Sequence, residues 1–284
     1  MVSDVQLENP PCPLCGSAER EVTYADFGGY KLVRCRACGL HYLFPRPTEA
    51  CMREAYSTGE YFEGSACGYS EMGYSSQERA LRATFQRLLQ NMQKRGLIGG
   101  QLLEIGCGYG YLLDEARKFF EYRAGTDFSA EAAARASTVA DRVYTGGIEQ
   151  VAAERQFDCV IATQVVEHVY QPVSFVRELI QRTKPGGHIL LATPDIGGIL
   201  RRSMGRSWPS FKIPEHVVYF DESTLTRLMA TAGLVGVRAL PYPHAFPLGL
   251  LLSKFHLRAP AFLAELNVWV PATTVAMCGT VAAR

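Results

Sequence analysis

Apolar and polar positions follow two periods along this chain, and the switching between them organises it. From Gln101 onward, short apolar runs predict strands at Leu102–Ile105, Tyr122–Thr126, Arg142–Tyr144, Asp158–Ala162, His188–Thr193 and Val235–Leu240, with another at Thr274–Ala283. Between them, helical periods predict helices at Tyr109–Phe119, Ser129–Ser137, Val173–Arg182 and Glu222–Ala232, and a short one near Glu149–Ala153. This β/α alternation predicts an α/β, doubly wound, mostly parallel sheet with its site at the carboxyl ends of the strands.

Upstream the pattern changes. Leu81, Phe85, Leu88, Leu89 and Met92 form one apolar stripe, so a helix starts at Ser75 or Ser76 and ends at Gly96. Arg79, Arg82 and Arg87 lie off the stripe and read as a solvated basic face. The Gly-, Ser- and Tyr-rich segment Tyr56–Tyr74 has no period and reads as loop with short helical pieces. Glu21–Tyr24 and Tyr30–Val33 read as two strands of a ribbon that Pro45-Arg-Pro47 ends. The expected organisation is a ribbon over 1–46, a linker and covering helix over 47–96, and the main domain over 97–284 with a lid insertion at about 196–221.

Composition narrows the classes. The chain has 284 residues, 48% hydrophobic and 20% charged, with net charge +1. A near-neutral balance argues against a nucleic-acid or acidic-membrane partner held by bulk electrostatics. The N-terminus has no basic start followed by an apolar core, and the apolar stretch Phe246–Ser253 is too short to span a bilayer. The expectation is a soluble, cytoplasmic protein without a membrane span.

The nine cysteines carry more information. Cys51, Cys67, Cys107, Cys159 and Cys278 are scattered and read as reduced thiols. Cys12-Pro-Leu-Cys15-Gly16 and Cys35-Arg-Ala-Cys38-Gly39 form two C-x2-C pairs 19 residues apart. Two thiolates so spaced wrap one face of a tetrahedral ion, and the following glycine takes the tight turn. Four thiolates close the shell, so Cys12, Cys15, Cys35 and Cys38 predict structural zinc, whose binding supplies folding energy to a module of this size. Between Cys12 and Arg46 five basic residues face three acidic ones, a weak nucleic-acid footprint, and the structural reading is preferred.

The stretch Leu102-Leu-Glu-Ile-Gly-Cys-Gly-Tyr-Gly-Tyr-Leu-Leu113 reads as strand, glycine turn and helix start. Its spacing is G-x-G-x-G. The dinucleotide fingerprint G-x-G-x-x-G would place its third glycine at Tyr111, where a tyrosine obstructs close helix–strand packing. Asp127, ending the next strand, suits an unphosphorylated ribose but does not separate NAD from other nucleosides.

Further motifs follow in order: Gly125-Thr-Asp-Phe-Ser129, Phe157-Asp-Cys-Val-Ile-Ala-Thr163, Val166-Glu-His-Val169, Lys184-Pro-Gly-Gly187 and Leu190-Leu-Ala-Thr-Pro194. Together they resemble a class I S-adenosylmethionine-dependent methyltransferase over about Leu97–Leu240. Cysteine-knuckle modules precede such domains in sugar and natural-product methyltransferases. The resemblance implies a Rossmann-like sheet whose last strand is antiparallel, and S-adenosylmethionine as cofactor. Gly106, Cys107, Gly108 and Gly110 then let backbone pass close to the ribose and methionyl chain. The helix start at Tyr109–Tyr111 faces the methionine carboxylate, and Glu104 its ammonium group. Asp127 holds the ribose hydroxyls and Phe128 packs on adenine. The acid many relatives use for the adenine amine is absent or displaced to Glu149, and backbone at Ile148 serves instead.

Methyl transfer from a sulfonium releases a neutral leaving group, so catalysis is alignment plus a base where a proton must leave. Two histidines are placed to act as that base. The first, His168 in Thr163-Gln-Val-Val-Glu-His168, resembles a segment of ubiquinone-pathway O-methyltransferases in which acids and histidine hold a divalent ion. Gln164 stands where the first of those acids would be. The amide disfavours a hard cation, so Gln164 is expected at the methionyl side, with Glu167 and His168 fixing the turn. His216, in Pro214-Glu-His-Val-Val-Tyr219, follows the lid and has an ordinary titration near working pH, so it is a candidate base with Tyr219 beside it. Trp208, Phe211 and Tyr219 either line a ring-shaped acceptor or pack the lid. The proline-punctuated region 241–271 extends the acceptor pocket, forms a dimer contact or lies on a membrane surface, and the oligomeric state stays open.

The preferred reading is an enzyme methylating oxygen on a small-molecule acceptor: a sugar, glycan or secondary metabolite. A C-methyltransferase acting on a nucleotide-linked sugar is the near rival. Such enzymes generally carry a further C-terminal domain, and the end at Arg284 counts against it. An RNA methyltransferase and a non-catalytic cofactor-binding scaffold are the rivals from other classes.

Overall fold

The computed structural model describes residues 6–52, 77–253 and 259–283. The expected loop at 56–74, the expected helix start at 75–76 and Cys67 lie outside them.

The N-terminal region opens with β1 (Leu7–Glu8), followed by β2 (Arg20–Phe27), β3 (Tyr30–Cys35), β4 (His41–Phe44) and β5 (Arg46–Pro47), and β1 pairs with β5. The β2–β3 hairpin turns on Gly28 and Gly29, whose φ values of 63° and 93° suit the left-handed two-residue turn that matches strand twist. Strand β4 was not expected from the sequence. It pairs with β3, Val33 opposite Tyr42.

Helix α1 (Glu78–Gln93) presents the predicted stripe, burying Leu81, Phe85, Leu88, Leu89 and Met92. Arg82 is not a solvated surface charge. It bridges Glu78 at 2.7 Å, Asp114 at 2.9 Å and Glu115 at 3.0 Å, tying α1 to the helix after the glycine turn.

The main domain then runs β6 (Gln101–Ile105), α2 (Tyr111–Glu115), β7 (Tyr122–Asp127), α3 (Ala130–Ala136), β8 (Arg142–Thr145), β9 (Phe157–Thr163), α4 (Pro172–Gln181) and β10 (Thr183–Pro194). After β10 come α5 (Ile199–Met204), β11 (Val218–Tyr219), α6 (Glu222–Ala232), β12 (Leu234–Ala239), β13 (His244–Pro247), α7 (Leu248–Ser253), β14 (Asn267–Val270) and β15 (Thr274–Val281). The central sheet has the order β12-β15-β10-β9-β6-β7-β8, and β15 runs antiparallel to both its neighbours. This is the Rossmann-like methyltransferase sheet that was expected.

Strand period two divides its core. Leu103, Val160, Ile189, Leu191 and Met277 face one side, where Leu225, Leu228 and Met229 of α6 pack. Leu102, Ile161, Leu190 and Cys278 face the other, against α1. The predicted helix 109–119 is shorter, because Gly110 stands left-handed at its N-cap and the last turn tightens after Glu115. Strand β10 is longer than predicted. Its Lys184-Pro-Gly-Gly187 is an irregularity within the strand, since Thr183 still pairs with Phe157.

One pairing crosses the chain. Strand β11 adds to the edge of β4, Val218 opposite Tyr42 and Tyr219 opposite His41, completing a sheet in the order β11-β4-β3-β2. The segment after β10 is thereby fastened to the N-terminal ribbon.

Candidate active site

The carboxyl ends of β6, β7, β9 and β10 meet at one edge of the sheet. The glycine turn begins there, with the amides of Gly106 and Cys107 both donating to the Thr126 carbonyl at 2.8 and 2.9 Å. At Gly106, φ is 71° and a Cβ would lie 2.6 Å from Val165 Cγ2. At Gly110, φ is 80° and a Cβ would meet Ala136 Cα at 2.9 Å. The close approach in this turn therefore belongs to Gly110 against α3. Tyr111 does not obstruct it. Its ring is buried on the α1 side, with the Arg82 guanidinium 4.9 Å from its centroid.

Asp127 is clamped by backbone, its two oxygens accepting from Gly108 at 2.8 Å and Ser129 at 2.9 Å. Burial raises its pKa against those two donors. Glu104 is 2% exposed and its Oε2 has no partner among the described residues. Burial, with the Asp127 charge behind it, pushes its pKa well above the carboxylate range. Such an orphaned carboxyl is costly unless a cation meets it. Thr126 Oγ1 is orphaned too, and Cys107 is buried within the turn. Phe128 stands 59% exposed beside the turn at Gly147, and Ile148 is buried. Glu149 accepts from the Gly147 amide at 2.9 Å, so its carboxylate closes its own turn.

Gln164 directly follows β9 with φ at 56°, a left-handed conformation uncommon for glutamine. Its backbone amide donates to Ala192 at 2.7 Å, and its buried Nε2, like the other unpartnered atoms of this edge, has no partner among the described residues. The turn Val166–His168 follows. Glu167 Oε2 accepts from the Thr193 hydroxyl at 2.9 Å while Oε1 is unpartnered, and burial pushes its pKa up to about 7.

His168 donates from Nδ1 to the Glu215 carbonyl at 3.1 Å, and burial holds its pKa at about 4. Its ring stands 4.7 Å from that of His216, nearly perpendicular. His216 does not titrate near working pH as expected from its residue type. Burial, then His168 and Lys212, push its pKa well below the ordinary value, so it is a neutral imidazole with Nδ1 unpartnered. One donor atom from each of Glu167, His168 and His216 lies within 4.8 Å of the others. Such a set can pass a proton or hold a divalent cation.

Tyr219 is 1% exposed, its ring 6.0 Å from His216 and its hydroxyl unpartnered. Burial and the carboxylates of Glu167 and Glu215 push its pKa well up. Backbone bonds fix the segment: Val217 donates to the Glu167 carbonyl at 2.9 Å, and Leu43 donates to that of Val217 at 3.0 Å. Trp208 and Phe211 pack the lid. Their rings meet at 5.1 Å in a cluster with Tyr24 and Phe27. An open depression of about 330 Å³ by Gly99, Asp158 and Lys184 lies at the opposite edge of the sheet, away from these groups.

The four cysteines converge at the base of the ribbon. Sγ of Cys12 lies 3.5 Å from that of Cys38, and Cys15 lies 3.6 Å from Cys35. A tetrahedral zinc–thiolate shell has edges of about 3.8 Å. Gly16 and Gly39, with φ of 75° and 82°, donate back to the carbonyls of Cys12 and Cys35, the turn expected of each knuckle. Burial raises the Cys12 and Cys38 thiols, Cys38 to about 11. At Cys35 the Cys38 and Ala37 amides outweigh burial and hold it at about 7. No helix among the described residues is long and apolar enough to cross a membrane.

Comparison with known proteins agrees with this geometry. Residues 74–239 match the model of a methyltransferase domain family. Over 173 residues the chain is 27% identical to the ubiquinone biosynthesis O-methyltransferase of Aeromonas salmonicida, covering 54% of this chain and 73% of that one. Over 106 residues it is 32% identical to the enzyme of the same name from Cronobacter sakazakii, covering 34% of this chain and 44% of that one. The match thus takes in less than half of the second relative. Among solved structures, an S-adenosylmethionine-dependent methyltransferase from Archaeoglobus fulgidus matches with TM-score 0.53 at 14% identity, over 73% of this chain and 98% of that one. Magnesium protoporphyrin IX methyltransferase of Synechocystis PCC 6803 matches with TM-score 0.51 at 12% identity, over 83% and 100%. These structural likenesses concern the fold.

Proposed function

The chain belongs to the methyltransferase domain family and is an S-adenosylmethionine-dependent methyltransferase, and from that premise we propose that it methylates a hydroxyl oxygen of a small molecule, with sugars, glycans and secondary metabolites as the acceptor class. The observation that carries this reading is a set of buried polar atoms along one edge that have no partner among the described residues: Glu104 Oε2, Gln164 Nε2, Glu167 Oε1, His216 Nδ1 and Tyr219 Oη. Buried polar atoms in native proteins are paired, so these await ligands.

The bound cofactor supplies an electrophilic methyl group on a sulfonium. On its side, Glu104 faces the ammonium group and Gln164 the methionyl chain, while the start of α2 at Tyr109–Tyr111 faces the carboxylate. Asp127 keeps lone pairs for the ribose hydroxyls, Phe128 covers adenine, and backbone at Ile148 meets the adenine edge. Gly106, Cys107, Gly108 and Gly110 shape the wall.

On the acceptor side, His216 takes the hydroxyl proton at Nδ1. The Glu167 carboxylate, with an oxygen within 4.8 Å of a His216 ring nitrogen, steadies the imidazolium so formed by its charge, and a hydrogen bond to Ser210 backbone orients the ring. His168 and Tyr219 position the acceptor oxygen. Gln164, an amide where ubiquinone-pathway enzymes carry an acid, favours proton handling over a divalent cation. The names of the relatives support oxygen as the acceptor atom.

At the ribbon we propose structural zinc on Cys12, Cys15, Cys35 and Cys38, a reading their Sγ spacing supports. An acceptor library assayed by S-adenosylhomocysteine release tests the enzyme reading. Turnover on a hydroxylated small molecule, lost in His216→Ala with cofactor affinity kept, is expected. Methylation only at carbon or on RNA defeats it.

A further inference from the structure

We infer that the four-cysteine module is a working part of the acceptor side: its β2–β3 hairpin, locked to the lid through Phe27 and Arg206, sets where Tyr219 and His216 stand. This rests on the acceptor role proposed for those two residues and adds the element that positions them.

The coupling is built through both faces of the sheet that β11 completes. On one face Val33, Tyr42 and Val218 lie in a row across β3, β4 and β11. They are buried in one cluster with Cys12, Cys35 and Cys38. On the other face Tyr219 is buried with Leu32, Ile196 and Trp208, against Tyr24, Phe27 and Phe211. Phe211 is the hub, its ring 5.4 Å from Phe27, 5.5 Å from Tyr24 and 5.7 Å from Tyr219. Arg206, just past α5, reaches back to the hairpin. Its guanidinium donates to the Ala25 carbonyl at 2.9 Å and to that of Asp26, and lies 4.8 Å from the Phe27 ring.

A ribbon this small buries too little to hold itself, and a metal on its thiolates would supply the missing stability. Loosening it removes the strands beneath β11 and the packing around Tyr219. The cofactor side stands on β6, β7 and the turns after them. Through Ile105 and Ala124 it shares the buried cluster on the first face, but it takes no part in the ring packing around Tyr219 or in the Arg206 bonds to the hairpin. Phe27 and Arg206 are therefore positioning residues, and their loss should separate the two sides of the site.

Trp208, 5% exposed, reports this directly once the exposed second tryptophan is replaced by Trp269→Phe. In the full-length, zinc-loaded protein, Phe27→Ala and Arg206→Ala should each shift Trp208 emission to the red and speed amide exchange at Val217–Phe220 at least tenfold. The S-adenosylmethionine Kd should stay within threefold, and Phe27→Tyr should restore both signals. Stripping the metal from the unmutated protein with a chelator should reproduce the pattern. Unchanged emission and exchange, or an equal loss of cofactor binding, overturns the inference. A protein that shows the shifts but turns over no acceptor refutes the proposed function and leaves the coupling standing.

Discussion

At Glu167 a single carboxyl group has one oxygen held by Thr193 and the other waiting, in a site dry enough to push its pKa up to about 7. Its charge therefore forms in the range where the enzyme would work. With His216 already neutral, kcat/KM should rise with pH through about 7 as Glu167 ionises. Glu167→Gln should remove that limb and lower turnover roughly 100-fold, within the range of acid–base contributions. A limb unchanged in the variant refutes the pairing. The same shift has a stability sign. A carboxyl raised on folding contributes stability that is complete below its unfolded pKa and lost as pH rises through the folded one. The buried neutral His168 and His216 act in the opposite sense, so the test is a difference: between pH 4.5 and pH 7, chemical denaturation should show the stability of the ligand-free unmutated protein falling relative to that of Glu167→Gln. Gly110 gives a second prediction at this scale. Gly110→Ala combines a left-handed φ with a Cβ 2.9 Å from Ala136 Cα. It should destabilise the protein by about 1–3 kcal/mol in urea titration.

At the scale of elements, the central sheet was legible because each strand is a short apolar run bounded by glycine or polar residues. Helix α6 was legible to the residue, since Asp221 caps it and Gly233 stops it left-handed. What escaped has physical causes. Strand β11 is two residues long, and its partner β4 lies far upstream, so no local period marks either. The β13–β14 hairpin is separated by α7 and a long apolar insertion, and its pairing, His244 with Val270, is a tertiary fact. The candidate site was legible in its parts: Glu104, Asp127, Gln164, Glu167, His168, His216, Tyr219 and the four cysteines are each singled out by motif. Their protonation was not, because residue type sets only the ordinary pKa and burial decides the rest. For the ribbon the expected outcome is release of one zinc per chain on chelation, followed by loss of β2–β4 while β6–β10 persist. Elemental analysis with hydrogen exchange checks both, and a metal-free ribbon that keeps its protection contradicts it.

At the scale of the molecule, two supports meet over one edge of the sheet. The main domain supplies a turn, two clamped or orphaned carboxylates and a left-handed glutamine. The ribbon supplies the sheet on which the His216–Tyr219 segment is hung. The ribbon and the main domain share one buried cluster, while the Tyr219 ring packs against the hairpin in a cluster of its own. The central claim concerns the ligand that the turn and Asp127 accept. Titration calorimetry on the full-length protein tests it most directly, with S-adenosylmethionine and NAD as ligands and Asp127→Ala beside the unmutated chain. One S-adenosylmethionine per chain is expected, and binding roughly 10- to 100-fold weaker in Asp127→Ala, the loss that follows when hydrogen bonds to a charged group are removed. Tight NAD binding, or S-adenosylmethionine binding that Asp127→Ala leaves unchanged, would contradict it.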